Sequence, residues 1–533
     1  MNNKAGDLMN RINVFIRRQR IKKLEKWIMR AILAEAFLLA IFPQAAAAAA
    51  VFGIVLWFLR LHIDTKFKMR SLPFDVPVSI FIVLGALSVF MSPARSFELI
   101  YNYCGIVGLY GLTYLLIGQN IRTPEQVKEL VQGLGAAAVV VVLVGYFQYI
   151  FGVDISQTKW IDDAAFAGIH TRIYSTLENP NILAGYLDVM ICIALGILAK
   201  FGTRKQKLIL IAAIIFLAAC LAMTYSRGAF LAIAIIFVIY GFLYDWRILT
   251  LFALIIGLLV YNDENFLERM LSIFQESYDS SEGLRIGIWV STVSMIADHP
   301  FVGIGWGAYK FLYPQYNYYL VDTSNTIYHA HNLFLQTAAE VGIAGALAYF
   351  WYFFGTMFAA LNLSSNSHYS KFEKMFNEEL FKTFMESKFL QNVAQAKSML
   401  MLRTSDFINE FLDKVSPPKK KPKKAKKTSE PELVHHEEMK FHTSKKSKDD
   451  KKSDEDNIDI QKFAENVQLF QPDADKLVEY KNLAAGMKLG IGLAFLSMAL
   501  NGMTDDLLFN IPSSILMWML GALGAAINLF DEN

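Results

Sequence analysis

Three arginines in this sequence stand at positions suited to binding an anionic group. Arg172 lies in a polar segment, Arg227 lies in the short stretch Thr-Tyr-Ser-Arg-Gly between two apolar runs, and Arg285 begins an amphipathic stretch. Trp289 follows Arg285 by four residues, so both side chains share one face of a helix. Guanidinium groups keep their charge and match phosphate oxygens bidentately, which makes these arginines candidates for binding phosphate. The alternatives are a snorkelling interfacial side chain for Arg227 and a helix lying along the bilayer surface for Arg285.

One histidine, His331, comes directly before a long apolar run. An imidazole at this place is suited to accept or orient the proton of a substrate hydroxyl near neutral pH. The alternative is a histidine that only ends a helix, bonded to backbone or water. His329 is two residues away, but the local sequence holds no carboxylate or third histidine at ligand spacing, so we predict no metal.

Asparagines accompany both polar segments. Asn179 and Asn181 flank Pro180, which biases the residue before it away from helix and is well suited to begin one. Asn332 follows His331 directly. These three asparagines are candidates for substrate binding, with turn formation and helix capping as the alternative.

The elements that position these residues are predicted to be membrane helices. Of the 533 residues, 54% are apolar and 19% are charged, against roughly 45–50% and 25% in soluble globular chains. This composition excludes an ordinary cytosolic enzyme, a secreted disulfide scaffold and a disordered protein. The three cysteines lie in apolar runs and are interpreted as small buried hydrophobes. The predicted fold class is an all-α polytopic membrane protein with a periplasmic helical subdomain and a charged cytoplasmic insert.

Apolar runs of sufficient length predict about 12 transmembrane helices. Their predicted bounds are 27–42, 45–60, 74–91, 99–117, 132–151, 181–199, 207–224, 228–244, 247–261, 333–361, 484–501 and 512–530. The first run follows a basic segment and has a signal peptide with an alanine-rich cleavage site as its alternative interpretation. The predicted organisation is a basic cytoplasmic N-terminus (1–26), helices one to nine (27–261), a periplasmic loop with amphipathic helices (262–332), helix ten (333–361), the insert (362–483) and helices eleven and twelve (484–530).

Basic residues alternate along the chain in the way that sets orientation in a membrane. The segments Arg60 to Arg70 and Lys200 to Lys207 are rich in Lys and Arg, whereas the short loops between the basic segments hold few. With the basic segments in the cytoplasm, residues 152–180, the turn Thr224 to Gly228 and residues 262–332 face outward. All the candidate site residues are then expected on the outer face.

The insert, residues 362–483, interrupts the apolar pattern before the last two spans. It holds seven lysines between Lys419 and Lys427, and such a segment buries too little apolar surface to offset its chain entropy. We therefore predict a partly disordered cytoplasmic segment. It shows no interleaved aromatic pattern or folded binding module, so nucleic-acid binding is not predicted, and any cytoplasmic partner is unknown.

These motifs together resemble the O-antigen ligase and O-antigen polymerase superfamily. His331-Asn332, followed after nine residues by Gly342-Ile343-Ala344-Gly345, resembles the histidine motif of that family. Other segments occur in the order that the family shows, namely Asn179-Pro180-Asn181 with Ala184, Ser226-Arg227-Gly228, Arg285 with Trp289, and His299-Pro300 to Gly305. The resemblance covers residues 30–361 and resumes at 484–530, where Asp505 or Asp506 and Pro512 look like the family's closing segment. The long charged insert departs from the family pattern.

The resemblance implies an enzyme, a polyprenyl-diphosphate-dependent membrane glycosyltransferase in the bacterial inner membrane with its active site facing the periplasm. The implied donor is a glycan linked to undecaprenyl diphosphate. Ligases of the family transfer this glycan to lipid A-core, polymerases extend another lipid-linked glycan, and other relatives glycosylate proteins. Of these reactions we expect the ligase reaction, with inversion and with no metal or cofactor.

The resemblance also implies roles for individual residues. His331 would accept or orient the proton of the acceptor hydroxyl, and Arg227 and Arg285 would hold the diphosphate with help from Arg172. A further set would contribute to substrate binding, and it consists of Asn179, Asn181, Asn332 and Trp289. From a different class, a lipid or polysaccharide transporter is the main alternative, although transporters commonly place their polar site near the middle of the membrane. A non-catalytic scaffold whose insert recruits partners is the third interpretation.

Overall fold

The computed structural model describes residues 2–152, 172–200, 202–262, 281–317, 327–361, 474–506 and 510–530. Helices make up the regular structure of these residues, and no strand occurs among them. The described helices belong to one compact unit, formed from Met1–Lys371 and Asp475–Asn533. The protein is an all-α polytopic membrane protein, as the sequence predicts.

The α-helices follow one another in chain order with short connections. They are α1 (Asn2–Leu38), α2 (Pro43–Ile63), α3 (Asp75–Phe90), α4 (Phe97–Asn102), α5 (Gly108–Asn120), α6 (Pro124–Phe151), α7 (Pro180–Lys200), α8 (Arg204–Ala222), α9 (Arg227–Leu243), α10 (Arg247–Asn262), α11 (Ser281–Asp298), α12 (Tyr309–Tyr316), α13 (Leu333–Ala360), α14 (Ala474–Asn501) and α15 (Ile511–Asn528). A π-helical turn, Tyr103–Val107, joins α4 to α5, and a 3-10 turn, Ser175–Leu177, precedes α7.

Each predicted span falls on described helical residues, with the fourth, 99–117, divided among α4, the π-helical turn and α5, and some bounds differ. Within the described ranges, seven helical stretches are long and apolar enough to cross a membrane, and α3, α9, α10 and α15 are shorter apolar helices. The first predicted span, 27–42, lies on α1, which begins at Asn2 and ends at Leu38, so only residues 39–42 of the span lie outside this helix. Pro43 begins α2 and disfavours helix at Phe42, so α1 and α2 do not form one continuous helix.

Helix α13 is broken where the sequence predicts one continuous span. Gly342 has a left-handed backbone, with φ 72° and ψ 173°, which interrupts the helical hydrogen bonds. The glycine-rich loop after α11 supplies new partners at the break. The N–H of Gly305 donates to the carbonyl of Glu340 at 2.9 Å, and the N–H of Ile343 donates to the carbonyl of Pro300 at 2.8 Å. The loop is thereby fixed against the first turns of α13.

The close approach at Gly342 predicts a stability effect. A Cβ atom there would lie 2.4 Å from the carbonyl oxygen of Phe301, in a backbone conformation that disfavours side chains. We expect Gly342→Ala to lower the free energy of unfolding by about 3 kcal/mol, seen as a lower melting temperature of the detergent-solubilised protein. Gly135→Ala is the matched control, because a Cβ at that helical position meets no atom within 4 Å. Equal melting temperatures for the two variants would contradict this interpretation of the break.

Helices α7 and α14 run antiparallel with their backbones in contact. A Cβ on Gly490 would lie 2.7 Å from the Cα of Ile193, and one on Gly486 would lie 2.8 Å from the Cα of Ile197. Small residues permit this approach between membrane helices. The antiparallel pairing brings the end of α14 beside the start of α7, where the polar residues of the candidate site lie.

Two predicted regions fall partly outside the described ranges. In the insert, 362–483, only 474–483 are described, and they form the first turns of α14, so the eleventh span begins within a longer helix than predicted. The predicted disorder of the insert lies outside the described residues. In the loop 262–332, the described residues 281–317 and 327–332 include α11 and α12.

Candidate active site

The carboxylate of Asp505, in the turn after α14, lies at the centre of the candidate site. Its Oδ1 is 3.1 Å from Nδ1 of His331, and its Oδ2 accepts a hydrogen bond from Nδ2 of Asn181 at 2.9 Å. A guanidinium nitrogen of Arg285 lies 3.9 Å from the same Oδ2. Four distant parts of the chain therefore meet at one buried carboxylate.

The turn between α14 and α15 is anchored to the start of α13. Nδ2 of Asn332 donates to the carbonyl of Met503 at 2.9 Å. Within the turn, Oδ1 of Asp505 also accepts the N–H of Asp506 at 2.9 Å, which fixes the direction of the carboxylate. These contacts fix the position of the imidazole of His331 relative to the carboxylate of Asp505.

The pKa of Asp505 is held below its usual range. Burial alone would raise it, but the hydrogen bond from His331 and the nearby charges of His331 and Arg285 outweigh that effect. Asp505 is therefore ionised at neutral pH and accepts the Nδ1–H of His331. When the imidazole is neutral, this hydrogen bond leaves Nε2 of His331 as a proton acceptor, the arrangement that a general base requires.

Backbone strain occurs at the same place. His331, Tyr225 and Glu178 have positive φ values of 48°, 51° and 60°, a conformation that costs a non-glycine residue on the order of 1 kcal/mol or more. Tyr225 lies two residues before Arg227, and Glu178 directly precedes Asn179. Such strain persists only where surrounding contacts fix the backbone, as they do around His331.

Arg172 is fixed by two hydrogen bonds. Its Nε donates to the carbonyl of Thr224 at 2.7 Å, and a terminal nitrogen donates to Oδ1 of Asn181 at 2.7 Å. Because Asn181 itself donates to Asp505, Arg172 is connected to the central carboxylate through one amide. Arg172 and Asn181, both predicted as site residues from the sequence, therefore lie in one hydrogen-bonded group with Asp505 and His331.

The three predicted arginines lie close enough to interact electrostatically. Burial lowers the pKa of Arg172 to about 10, Asp505 opposes this change, and the charges of Arg285 and Arg227 reinforce it. Arg172 still remains protonated at neutral pH. Among the described residues of this cluster, three arginines lie near Asp505, so the local electrostatic potential favours an anionic ligand.

Gly228, the residue after Arg227, determines where the start of α9 lies. A Cβ on Gly228 would lie 2.7 Å from Oγ1 of Thr504, so the start of α9 packs directly on the turn that carries Asp505. A glycine is needed here because the turn approaches the helix backbone so closely. This packing explains why Arg227 affects the pKa of Arg172, across the same site.

Three helices begin around the cluster, which adds to its positive potential. They are α7 at Pro180, α9 at Arg227 and α13 at Leu333. The N-terminus of a helix presents unpaired N–H groups and the positive end of its dipole, which together stabilise a nearby anion. The arginine side chains and the helix N-termini therefore both make the electrostatic potential at the cluster more positive.

His329 accompanies His331, with ring centroids 4.1 Å apart. Nδ1 of His329 accepts the backbone N–H of His331 at 3.3 Å. Burial lowers the pKa of His329 to about 3, and the charges of His331 and Arg285 lower it while Asp505 raises it. His329 is therefore neutral at physiological pH and supports the backbone of His331.

The remaining predicted residues have local contacts. Oδ1 of Asn179 accepts the N–H of Asn181 at 2.8 Å and so caps the start of α7, and Oδ1 of Asn332 accepts the N–H groups of Phe334 and Leu335 at 3.0 Å. The indole N–H of Trp289 is buried and makes no hydrogen bond to the described residues. Direct substrate contact by these three side chains stays a prediction.

The same cluster contains three side chains that could bind a metal ion. His329, His331 and Asp505 each offer one ligand atom, and these atoms lie within 4.8 Å of one another. Two features oppose a bound dication: Asp505 is already engaged by His331 and Asn181, and the arginines surround it with positive charge. The absence of a metal requirement therefore stays our prediction.

Asp505 and His329 acquire roles in the structure that the sequence did not assign to them. Asp505 stands among the residues that resemble the family's closing segment, but its distance along the chain gave no indication that it contacts His331. The sequence does show that Asp505 lies in a short polar segment between two apolar runs, on the predicted outer face. His329 was noticed only as a partner for His331 in a metal site.

Comparisons with known proteins find similarity to the O-antigen ligases and polymerases. Residues 212–350 match the family described as O-antigen ligase, and this range contains Arg227, Arg285 and His331. The chain is also similar to an O-antigen polymerase of Salmonella muenchen, with 23% identity over 338 residues, which cover 60% of this chain and 77% of that protein. Together they confirm the resemblance to the O-antigen ligase and polymerase superfamily that the motifs predict.

Proposed function

We propose that this chain, which is related to the O-antigen ligases and polymerases, transfers a glycan from undecaprenyl diphosphate to lipid A-core on the periplasmic face of the bacterial inner membrane. The observation that carries the proposal is the contact of His331 and Arg285 with one carboxylate, Asp505. A proton acceptor and a cation for a diphosphate are thereby held side by side. This pairing suits attack by a hydroxyl on a glycosyl diphosphate.

The proposed reaction is a single displacement at the anomeric carbon. The acceptor hydroxyl oxygen forms the new glycosidic bond while its proton passes to Nε2 of His331. The bond between the anomeric carbon and the diphosphate oxygen breaks, and the diphosphate leaves with the electron pair. Attack from the side opposite the leaving group inverts the anomeric configuration. No nucleotide or other activating cofactor is needed, because the diphosphate is already a leaving group.

The arginines act on the leaving group in this proposal. Arg285 and Arg227 bind the diphosphate, and Arg172, held by Asn181, assists them. Negative charge grows on the diphosphate in the transition state, so cations fixed in advance stabilise it without reorganisation. The helix N-termini at Asn179 and Asn332 contribute dipoles to the same place, and we retain both asparagines and Trp289 as candidate substrate contacts.

Arg285→Lys tests the requirement for a guanidinium group. Lysine keeps one positive charge but lacks the planar pair of donors, so we expect the rate of transfer to fall about 10- to 100-fold. Arg247→Lys, at the exposed start of α10, serves as the matched control and should leave the rate unchanged. The measurement is the rate of product formation by membranes that contain equal amounts of each variant. A rate for Arg285→Lys equal to that of the control would remove Arg285 from diphosphate binding.

Removal of divalent cations tests the prediction of a metal-independent site. We expect EDTA, followed by buffer exchange, to leave the transfer rate of the purified protein unchanged, because His331 and the arginines perform the roles a metal would otherwise fill. Zn²⁺ or Mn²⁺ should not increase the rate. Loss of activity with EDTA and its recovery with one of these ions would show that His329, His331 and Asp505 bind a catalytic metal.

A polymerase reaction is the second candidate, and the observation that favours it is the similarity to the Salmonella muenchen O-antigen polymerase. Both reactions use the same donor chemistry and differ in the acceptor. Transport by the same chain is less well supported, because the candidate residues gather at the ends of helices α7, α9 and α13, whereas transporters commonly bind at the middle of the membrane.

Deletion of the gene distinguishes these functions. A ligase defect removes all long glycan from lipid A-core and accumulates a lipid-linked polymer. A polymerase defect instead leaves lipid A-core with a single repeat unit. Surface glycans are separated on gels and lipid-linked glycans are measured by mass spectrometry. Unchanged surface glycans, in a strain that normally expresses the gene, would contradict the proposed function.

A further inference from the structure

A cavity of about 370 Å³ adjoins the candidate site. It lies among α3, α5, α13 and α15, and its walls include the π-helical turn through Ile106 and the loop after α11 through Gly307. His331 does not line the cavity, but Tyr328 and Leu333 on either side of it in the chain do, and one turn carries residues of both the site and the cavity wall. Asp505 contacts His331, whereas Asp506 lines the cavity.

Aromatic rings dominate the wall of this cavity. Its aromatic lining residues are Phe81, Tyr110, Trp306, Tyr328, Tyr349 and Trp518. Several of these rings are held rigidly by one another, since Phe81 and Trp518 stack with centroids 6.0 Å apart and Tyr110 stacks on Trp518 at 6.1 Å. A rigid aromatic face binds the C–H face of a sugar ring without losing much side-chain entropy.

Polar groups line the rest of the wall. Lys310, Gln336 and Asn510 are among them, together with Asp506. Oδ1 of Asn510 is buried and has no hydrogen-bond partner among the described residues. A buried acceptor of this kind is costly unless a ligand or water donates to it. A hydroxyl-rich ligand would supply such donors.

This lining argues against a polyprenyl tail as the occupant. Only Ile106 and Leu333 contribute aliphatic side chains, whereas an isoprenoid chain favours a groove of aliphatic surface. A lysine, an aspartate and amide groups would also lose their hydration against hydrocarbon without compensation. Rings combined with amide and carboxylate groups are instead the chemistry that a carbohydrate requires.

The position of the cavity relative to the arginines indicates which sugar it holds. Arg172, Arg227 and Arg285 do not line it, so a diphosphate bound by them stays outside. In a displacement the incoming hydroxyl and the leaving diphosphate lie on opposite sides of the anomeric carbon. The sugar that enters a space away from the arginines is therefore the one that supplies the hydroxyl.

We propose that this aromatic cavity binds a sugar ring of the acceptor glycan and presents its hydroxyl to His331. The proposal rests on the proposed transferase function and names the substrate class that this part of the site recognises. Tyr328 is suited to discriminate between acceptors, because it lines the cavity, is 53% exposed and lies three residues before His331.

The test measures binding without transfer, in protein held in lipid nanodiscs. The probes are lipid-free oligosaccharides, one from lipid A-core and one from the repeat unit, and farnesyl diphosphate as a lipid diphosphate that lacks sugar. We expect Tyr328→Ala and Asn510→Ala each to weaken binding of one oligosaccharide about tenfold while farnesyl diphosphate binds unchanged. Arg285→Lys should show the reverse pattern. Tyr261→Ala, an 85% exposed tyrosine outside the cavity, is the matched control, and melting temperatures confirm that each variant is folded.

The outcomes distinguish the role of the cavity from the transferase function. Weaker farnesyl diphosphate binding with unchanged oligosaccharide binding in the two cavity variants would assign the cavity to the lipid tail and overturn the proposal. Failure of the wild-type protein to bind either oligosaccharide would overturn it as well. Oligosaccharide binding that depends on Tyr328 and Asn510, in a protein with no transfer activity, would support the cavity assignment and contradict the transferase function instead. Binding of the lipid A-core oligosaccharide would indicate a ligase, and binding of the repeat-unit oligosaccharide would indicate a polymerase.

Discussion

His331→Ala is expected to reduce glycan transfer to background while leaving the protein folded in the membrane. The imidazole is the group in the cluster that can take the proton of the acceptor hydroxyl, because its Nδ1 is held by Asp505 and its Nε2 remains an acceptor. Loss of a general base of this kind lowers a rate by about 100- to 10,000-fold. The measurement is product formation by equal amounts of purified wild-type and variant protein.

Two controls separate a chemical role of His331 from a structural one. His62→Ala removes an exposed histidine at the end of α2 and should leave transfer unchanged. Added imidazole should partly restore transfer by His331→Ala, because it fills the vacated space with the same proton acceptor. Wild-type rates in a folded His331→Ala protein would exclude His331 from the mechanism.

Asp505→Asn is expected to lower transfer about 1,000-fold with little effect on the amount of protein in the membrane. Asparagine preserves the shape of the side chain but presents no charge to His331, so the imidazole loses its fixed tautomer and the stabilisation of its protonated form. It also leaves Arg285 without the carboxylate that lies 3.9 Å away. The loss should appear mainly in kcat, since the carboxylate acts through His331.

Asp245→Asn provides the matched control for this substitution. Asp245 is exposed, and its Oδ1 accepts the N–H of Arg247, a bond that asparagine keeps. A pH profile adds a readout that a purely structural effect would not change, because Asp505→Asn removes the negative charge beside the proton-accepting imidazole. An Asp505→Asn protein with the rate and pH profile of the control would show that the contact with His331 is not used in catalysis.

The helices could be predicted from the sequence because membrane-spanning segments are local. A run of about 20 apolar residues forms a helix to satisfy its own backbone, whatever the rest of the chain does. The break in α13 could not be predicted in this way, because the apolar pattern continues through Gly342. It exists only because a loop some 40 residues earlier, around Gly303, supplies hydrogen bonds at that point.

In the candidate site, too, some residues are conspicuous in the local sequence, whereas others are recognised only by contacts between distant parts of the chain. Arg172, Arg227, Arg285 and His331 were found because a charged or titratable residue at the edge of an apolar run is conspicuous. Asp505 was harder to assign, because it is 174 residues from His331 and no local pattern pairs the two. The aromatic cavity is also a property of helix packing, since its walls come from residues between Phe81 and Trp518 that share no sequence motif.

Reconstitution with defined substrates tests the proposed glycan transfer most directly. Purified protein in lipid nanodiscs is incubated with an oligosaccharide linked to undecaprenyl diphosphate and with lipid A-core, in the presence of EDTA, and the products are identified by mass spectrometry and by the anomeric coupling in NMR. We predict a glycan joined to lipid A-core with inverted configuration and one released undecaprenyl diphosphate per transfer. Absence of transfer from this donor to either lipid A-core or a second lipid-linked glycan, by a folded protein, would contradict the central claim.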